Sequence, residues 1–426
     1  MKARLGQIAL ALLWIVLIGL ALRFTWQSGS VATRRSDGFA AYYTAARLIR
    51  AGSAGPRLYD DAWFSAEVAR TVPGVRDIYN ANPPTTALLL LPLSGARYAM
   101  ARTIWIWLNV ALLAVTLLLI LRETGLRGPP ALIFASVALA SQPLQANMRQ
   151  GQVYVLLLAL ATLVWIGLRR CSDRVAGAAL GVMIAVKTAG LLLPILLLSR
   201  RRWRSLFWAS VSTVALSLTS LFWFNAATWR AYVQALMRLR NEPDLSVSAY
   251  QTVPSLFRHL FAFDPTWNPD PLTRSSFLAT TLTLLAFVGL LALTVLFTRT
   301  LEHIDLQFAA LLTLSVLLSP VSLDYHYTLL LLPLAIVLSE SRSYGDWRVW
   351  TVVAFSAALT MTNLPYTSPR FVGGVWIVLG YPKLVGGLLL WGTTMWLAHR
   401  AAMVSTTDSN RFDHVESDRR SLAAAQ

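Results

Sequence analysis

Several residues of this chain carry groups able to do chemistry, and each sits where apolar sequence gives way to polar. Asp37 is the first acid after the first long apolar run, within Arg34-Arg35-Ser36-Asp37-Gly38-Phe39-Ala40-Ala41-Tyr42-Tyr43. Its carboxylate is a proton acceptor. Lys187 stands alone in the apolar stretch 175–198, and an ammonium placed there most simply neutralises an anion such as a phosphate. His326 lies in Ser322-Leu323-Asp324-Tyr325-His326-Tyr327, where Asp324 can orient the ring as a phosphate ligand or second proton carrier. Arg149-Gln150-Gly151-Gln152 presents amides that both donate and accept, a pattern suited to sugar hydroxyls.

Each residue also has a plainer role. Asp37 follows Ser36, a good N-cap, and opens a stretch with Phe39, Tyr43, Ala46 and Ile49 at helical spacing, with Arg47 and Arg50 off that face and Gly52 ending it. Asp37 is therefore either a cap on a surface-lying helix, favouring its dipole, or a base. Asp60 and Asp61, ahead of Ala62-Trp63-Phe64, read as the cap of a second interfacial helix. His326 also fits an ordinary interfacial histidine among aromatic anchors.

The elements that position these groups follow from composition. Of 426 residues, 56% are apolar and 13% charged, against about 25% charged in soluble domains. Charge-free apolar runs recur from Leu5–Leu22 onward, each near the ~20 residues that cross a bilayer. The chain reads as an all-α, polytopic membrane bundle. The net charge of +17 resides mainly in short loops, the pattern of topology rather than of nucleic-acid binding. One cysteine, Cys171, allows no intrachain disulfide, and five scattered histidines offer no metal-ligand spacing. No cofactor is expected.

Charge then sets the topology. With the N-terminus cytoplasmic, the first helix exits near Arg23 and delivers a loop, 24–82, to the outer side with Asp37. The piece Pro84–Leu93 reaches only about 15 Å, half the bilayer core, and reads as an interfacial or re-entrant helix. Spans follow near 98–121, 129–142 and 151–168. A straight helix over 175–198 sets Lys187 near the midplane, at ~2.5–3.5 kcal/mol, and sends Arg200, Arg201, Arg202 and Arg204 outside. A break at Lys187-Thr188-Ala189-Gly190 removes both penalties and opens Lys187 to an outward cavity. Further spans near 205–224, 277–298, 304–318, 326–338, 348–362 and 375–398 bring the total to roughly twelve. They enclose one membrane domain, 1–403, followed by a disordered cytoplasmic tail, 404–426. Asp37, Asn82, Gln150, Gln152, Lys187, Asp324 and His326 then share the outer face.

Taken together, these pieces resemble glycosyltransferase family 87, polyprenyl-phosphate-mannose-dependent α-mannosyltransferases of the GT-C class. The matching segments are Asp37-Gly38-Phe39-Ala40-Ala41-Tyr42-Tyr43-Thr44-Ala45-Ala46, Leu58-Tyr59-Asp60, the Pro83-Pro84 helix with Pro92-Leu93, Gly151-Gln152 before an apolar span, Lys187 in its broken hairpin, and Tyr325-His326. They run in family order from residue 30 to about 335. Thr188 stands where such proteins often carry proline, and Asn82 where they carry an aromatic residue.

The resemblance implies an inverting hexosyltransferase of the cytoplasmic membrane with its site facing the extracytoplasmic side. Its partners are a polyprenyl-phosphate-linked sugar donor, a lipid or glycan acceptor and the bilayer, without nucleic acid. Asp37 deprotonates the acceptor hydroxyl, with His326 as the second catalytic group. Lys187, His326 and Arg149 hold the donor phosphate. Tyr42, Tyr43, Asn82, Gln150, Gln152 and Asp324 are expected to contact sugar or acceptor. The same polytopic chain, broken hairpin and buried Lys187 also suit a transporter or flippase, and a scaffold in an envelope-assembly complex is a third reading.

Overall fold

The computed structural model describes residues 2–239, 241–299, 304–342 and 345–424. Among them there is no strand, only an isolated bridge between Asp264 and Asn268. The all-helical outcome follows from the apolar runs, because lipid offers backbone amides no partners and a helix satisfies them internally.

Helix α1 (Lys2–Ala32) continues past Arg23, where sequence ends the first span. In its polar last turns Thr25 and Ser30 satisfy their hydroxyls on the carbonyls of Ala21 and Gln27, both at 2.8 Å. In the loop that follows, α2 (Phe39–Arg50) is not surface-lying. Every residue from Phe39 to Ala46 is buried, and the helix packs on the 3-10 helix Pro84–Leu93. The second short helix, α3 (Asp61–Thr71), is capped by Asp60, which accepts from the Trp63 amide at 3.1 Å. Pro84–Leu93 stays 3-10 because Pro84 and Pro92 remove amides that an α-helix would use. It is lodged among α2 and later helices rather than laid on the membrane surface.

Next come α4 (Tyr98–Thr124), α5 (Pro129–Ala140), α6 (Gln142–Gln150) and α7 (Tyr154–Arg169). The connection Gln145–Gln152, expected on the outer side, is mostly α6. Gly151, at φ +67°, ends it and turns the chain into α7.

The region 175–198 breaks where charge arithmetic places the break. Helix α8 (Asp173–Lys187) stops at Thr188, held at φ +48°, and α9 (Leu193–Ser199) returns the chain to α10 (Trp203–Ser220). The start of α10 meets the start of α8: Ser205 donates to Asp173 at 2.5 Å, and Arg202 lies 4.0 Å from the same carboxylate. The arginine cluster is thus carried back to the end of α8 opposite Lys187. The two helices run parallel in close approach; a Cβ on Gly177 or Gly181 would come within 2.3 Å of the Ser205 carbonyl oxygen or 2.4 Å of the Ala209 carbonyl oxygen. Small residues are what permit such contact in lipid.

The segment 225–276 contains α11 (Ala226–Leu239) and α12 (Val253–Phe261). It leads to α13 (Ser276–Thr298), α14 (Asp305–Leu317), a 3-10 turn Asp324–Leu330 continuing as α15 (Leu331–Ser341), and α16 (Trp347–Met361). The expected span 375–398 is divided into the 3-10 helix Gly374–Gly380 and α17 (Pro382–Ala424), with a bend of 61° to its first part, Pro382–Met403. Pro382 has no amide with which to continue the preceding turn. Helix α17 runs on through 404–424, where sequence predicts a disordered tail, and no glycine or proline there stops it. Residues 425 and 426 lie outside the described residues.

The count of spans differs from the roughly twelve expected. Among the described residues, three helices are long and apolar enough to cross a membrane: Gly6–Ala32, Tyr98–Thr124 and Ser276–Thr298. The bent pair makes a fourth if taken as one span. The other apolar helices are shorter, because Gly128, Ser141 and the 188–192 break interrupt what hydropathy reads as continuous. Ile8, Leu12, Ile15 and Leu22 on α1, and Phe277, Leu284, Leu285 and Val288 on α13, are exposed. Charge-free apolar faces of this kind suit lipid contact.

Candidate active site

Lys187 ends α8, and its surroundings are built to leave it there. Thr85 and Thr86 donate their hydroxyls to the carbonyls of Ala185 and Val186, the latter at 2.6 Å. They satisfy acceptors that a helix end otherwise leaves bare. The Lys187 Nζ donates to the Asn82 side-chain oxygen and to the Tyr42 hydroxyl at 3.4 Å. Tyr42 in turn donates to the Gln152 Oε1 at 2.5 Å. No carboxylate lies within 4.0 Å of Lys187 among the described residues, so its charge is held by neutral acceptors.

The Asp37 turn is fixed from three sides. Arg102, fully buried in α4, donates to the carbonyls of Val31 at 3.1 Å and Arg149 at 2.6 Å and to the Ser36 hydroxyl. Trp105, one turn along, donates to the Gly151 carbonyl at 2.9 Å. One face of α4 therefore braces both the Asp37 turn and the Gln150–Gln152 turn. Gly38, at φ +76°, lies against the latter; a Cβ there would stand 2.6 Å from the Gln152 Nε2 and 2.9 Å from the Gln150 carbonyl. Asp37 itself is exposed and makes no side-chain hydrogen bond to the described residues. The capping role is set aside, since α2 has Gly38 as its N-cap without a side-chain cap.

An acid that sequence reasoning missed lies beside it. The Asp77 carboxylate accepts from the amides of Gly38 and Ile78, the latter at 2.9 Å. Burial pushes it up to about 6; those two amides pull it down, Asp37 raises it and Lys187 lowers it. Asp37, Asp77 and Lys187 are thus within electrostatic range of one another through Asp77, and Lys187 is within range of His326.

His326 accepts at Nδ1 from the Leu323 amide at 3.0 Å. The neutral ring therefore carries its proton on Nε2 and presents a donor. It packs against Tyr154 and Tyr325, with ring centroids 4.4 Å and 4.7 Å away.

The remaining expectations divide. Gln152 and Asn82 join the cluster, but as supports of Tyr42 and Lys187. Tyr43 does not join: its hydroxyl donates to the Ala96 carbonyl at 2.6 Å, and its ring packs on Phe39 and Tyr98. Asp324 does not orient His326. It accepts from Tyr366 and lies 3.6 Å from Lys383, a fully buried lysine that also donates to the carbonyls of Thr360 at 3.1 Å and Thr362 at 3.2 Å. Arg149 is exposed and lines a groove of about 300 Å³ with Arg34 and Phe24; its charge is felt by Tyr366. Gln150 meets the cluster through its backbone carbonyl, which accepts from Ser36 at 3.3 Å. Arg102 and Lys383 were legible as lone charges in apolar runs, the signal that singled out Lys187. Asp77 has no such mark. Among the described residues, no three His, Cys, Asp or Glu side chains gather as a metal-binding group.

Fold and site define an apolar helical protein with acids and cations drawn together at one end of its helices. A family model for glycosyltransferase family 87 matches residues 80–320, more than half of the chain, and the chain belongs to that family. It is a glycosyltransferase. The matched segment contains Asn82, Arg149, Gln150, Gln152 and Lys187; Asp37 and Asp77 precede it, and Asp324 and His326 follow it. No curated protein matches the chain.

Proposed function

We propose that this chain moves a hexose, mannose by family resemblance, from a polyprenyl-phosphate donor to a hydroxyl of a lipid or glycan acceptor, with inversion. Its membrane is the cytoplasmic membrane, its site faces the extracytoplasmic side, and its shorter apolar helices complete a polytopic GT-C-like bundle. The observation that carries this reading is Asp77, which holds the Gly38 amide beside the exposed Asp37 and is within electrostatic range of Lys187, a cation at a helix break with no carboxylate within 4.0 Å among the described residues.

In this mechanism Asp37 takes the proton of the acceptor hydroxyl. The oxygen attacks the anomeric carbon as the bond from that carbon to the phosphate oxygen breaks, and polyprenyl phosphate leaves. Lys187 and the Nε2–H of His326 meet the charge that grows on the leaving phosphate. Donors fixed before reaction stabilise such charge without reorganising. Asp77 and Arg102 set the Asp37 turn, and Gln152 and Asn82 set Tyr42 and Lys187. The lipid tail of the donor suits an enzyme with apolar outer faces.

The test is transfer from a polyprenyl-phosphate mannose to extracted acceptor lipids in proteoliposomes. The wild type gives a glycosylated product and Asp37→Asn, while remaining folded, forms it at least about a hundredfold more slowly. Full turnover by that variant overturns the assignment of the base.

A further inference from the structure

At the far end of α8 from Lys187, about 20 Å away at 1.5 Å per residue, a second cluster of charge surrounds a cavity. It measures about 590 Å³ and is lined by Cys171, Ser172, Asp173, Arg174, Arg204 and Trp208. The lining acid, Asp173, is already engaged by Ser205 and Arg202. Arg174 and Arg204 are exposed and have no carboxylate within 4.0 Å among the described residues; Arg174 only stacks over Trp208, 5.8 Å from the ring centroid. The cavity therefore carries surplus positive charge that the protein leaves uncompensated.

Two helix stops frame the same place. Three non-glycine residues have positive φ among the described residues: Thr188 at the Lys187 break, Cys171 at +54° and Arg201 at +53°. Cys171 lines the cavity, and Arg201 lies in the turn whose Arg202 approaches the Cys171 Sγ at 3.7 Å. Each is the left-handed residue of a helix stop, with the Ser172 amide donating to the Gly167 carbonyl and the Arg202 amide to the Leu197 carbonyl, both at 2.8 Å, so the turns that carry Arg174 and Arg204 are fixed.

The depth of the cavity points to its occupant. Along α10, Trp203, Phe207, Val211, Val214 and Leu218 are exposed, an apolar face that lipid covers. Trp203 stands where that face ends, as tryptophans do at headgroup level. Guanidinium groups at this level suit phosphate oxygens, which they meet with charge and paired N–H donors.

We infer that this cavity binds the phosphate of an anionic phospholipid headgroup, in the leaflet opposite the catalytic cluster. The inference is independent of which sugar or acceptor the enzyme uses. It is tested on the purified full chain in neutral detergent, with thermal unfolding and native mass spectrometry as readouts. The probes are short-chain phosphatidylglycerol, phosphatidylcholine of equal chain length, and inorganic phosphate at matched ionic strength. Phosphatidylglycerol is expected to raise the melting temperature and be retained, and the other two are not.

The R174Q/R204Q pair is expected to weaken phosphatidylglycerol binding roughly 30-fold, from about one charge contact per arginine. R174K/R204K keeps binding within a few-fold, and R127Q, an exposed arginine elsewhere, leaves it unchanged. Equal effects of phosphatidylcholine and phosphatidylglycerol overturn the inference, as does undiminished binding in R174Q/R204Q. Loss in the lysine pair equal to that in the glutamine pair overturns the role of charge. A full effect from inorganic phosphate overturns the lipid source.

Discussion

The Gly38 amide donates to the Asp77 carboxylate, so the turn that carries Asp37 is pinned by an acid 39 positions further along. The two carboxylates differ in surroundings: Asp37 is exposed, and the partly buried Asp77 holds the turn.

Asp77→Asn isolates that hold on the turn and gives a pH signature. Burial pushes the folded acid up to about 6 from its ordinary 3.8, so between these values the folded state holds a proton the unfolded state has lost. Its contribution to stability is complete below about 4 and disappears as pH rises through about 6. Asn keeps an acceptor for Gly38 and does not titrate. The melting temperature of the variant minus that of the wild type is expected to become more positive from pH 4.5 to pH 7.5; a constant difference would refute the linkage.

Asp37→Asn is expected to lower kcat by about 10²- to 10⁴-fold, the range for loss of a positioned base, with the melting temperature nearly unchanged because the side chain makes no hydrogen bond to the described residues. Parallel turnover and unfolding measurements separate the two effects.

Gly38→Ala combines two penalties. Alanine at φ +76° and ψ −72°, outside the left-handed helical well, costs about 1–3 kcal/mol, and its Cβ meets the Gln150 carbonyl, which belongs to backbone and yields little. Both a lower melting temperature and at least tenfold slower transfer are expected.

Asn82→Asp converts the neutral acceptor on Lys187 into an anion, which in the proposed mechanism competes with the donor phosphate. A roughly tenfold rise in donor KM, about 1.4 kcal/mol, is expected, with the acceptor KM unchanged. Steady-state kinetics with each substrate varied in turn reads this.

Lys383→Met removes a buried cation and leaves the part-exposed Asp324 with Tyr366 as its hydrogen-bond partner among the described residues. Loss of one partner of a buried pair costs about 3 kcal/mol. Adding Asp324→Asn is expected to recover part of it, measured as melting temperature in a double-mutant cycle.

The amino-acid sequence by itself determined the helical class, because long charge-free runs must satisfy their backbone internally. It also determined the break after Lys187, because one lysine in an apolar run and four arginines beyond it exclude a straight helix. The family was legible in short ordered motifs, from Asp37-Gly38 to Tyr325-His326. Tertiary structure decided what those motifs touch. Asp77 is an ordinary loop acid in one dimension and becomes part of the site only when the first loop folds back onto Gly38. Asp324, two residues from His326, turns instead to Lys383 and Tyr366, because a 3-10 turn directs neighbouring side chains apart. Tyr42 and Tyr43 separate in the same way: on one helix, adjacent residues face about 100° apart, so one hydroxyl reaches Lys187 and the other is spent on Ala96. Residue type and hydropathy are local properties and can be read along a chain. The partner of a hydrogen bond or charge depends on chain closure over tens of residues, and only the fold supplies it.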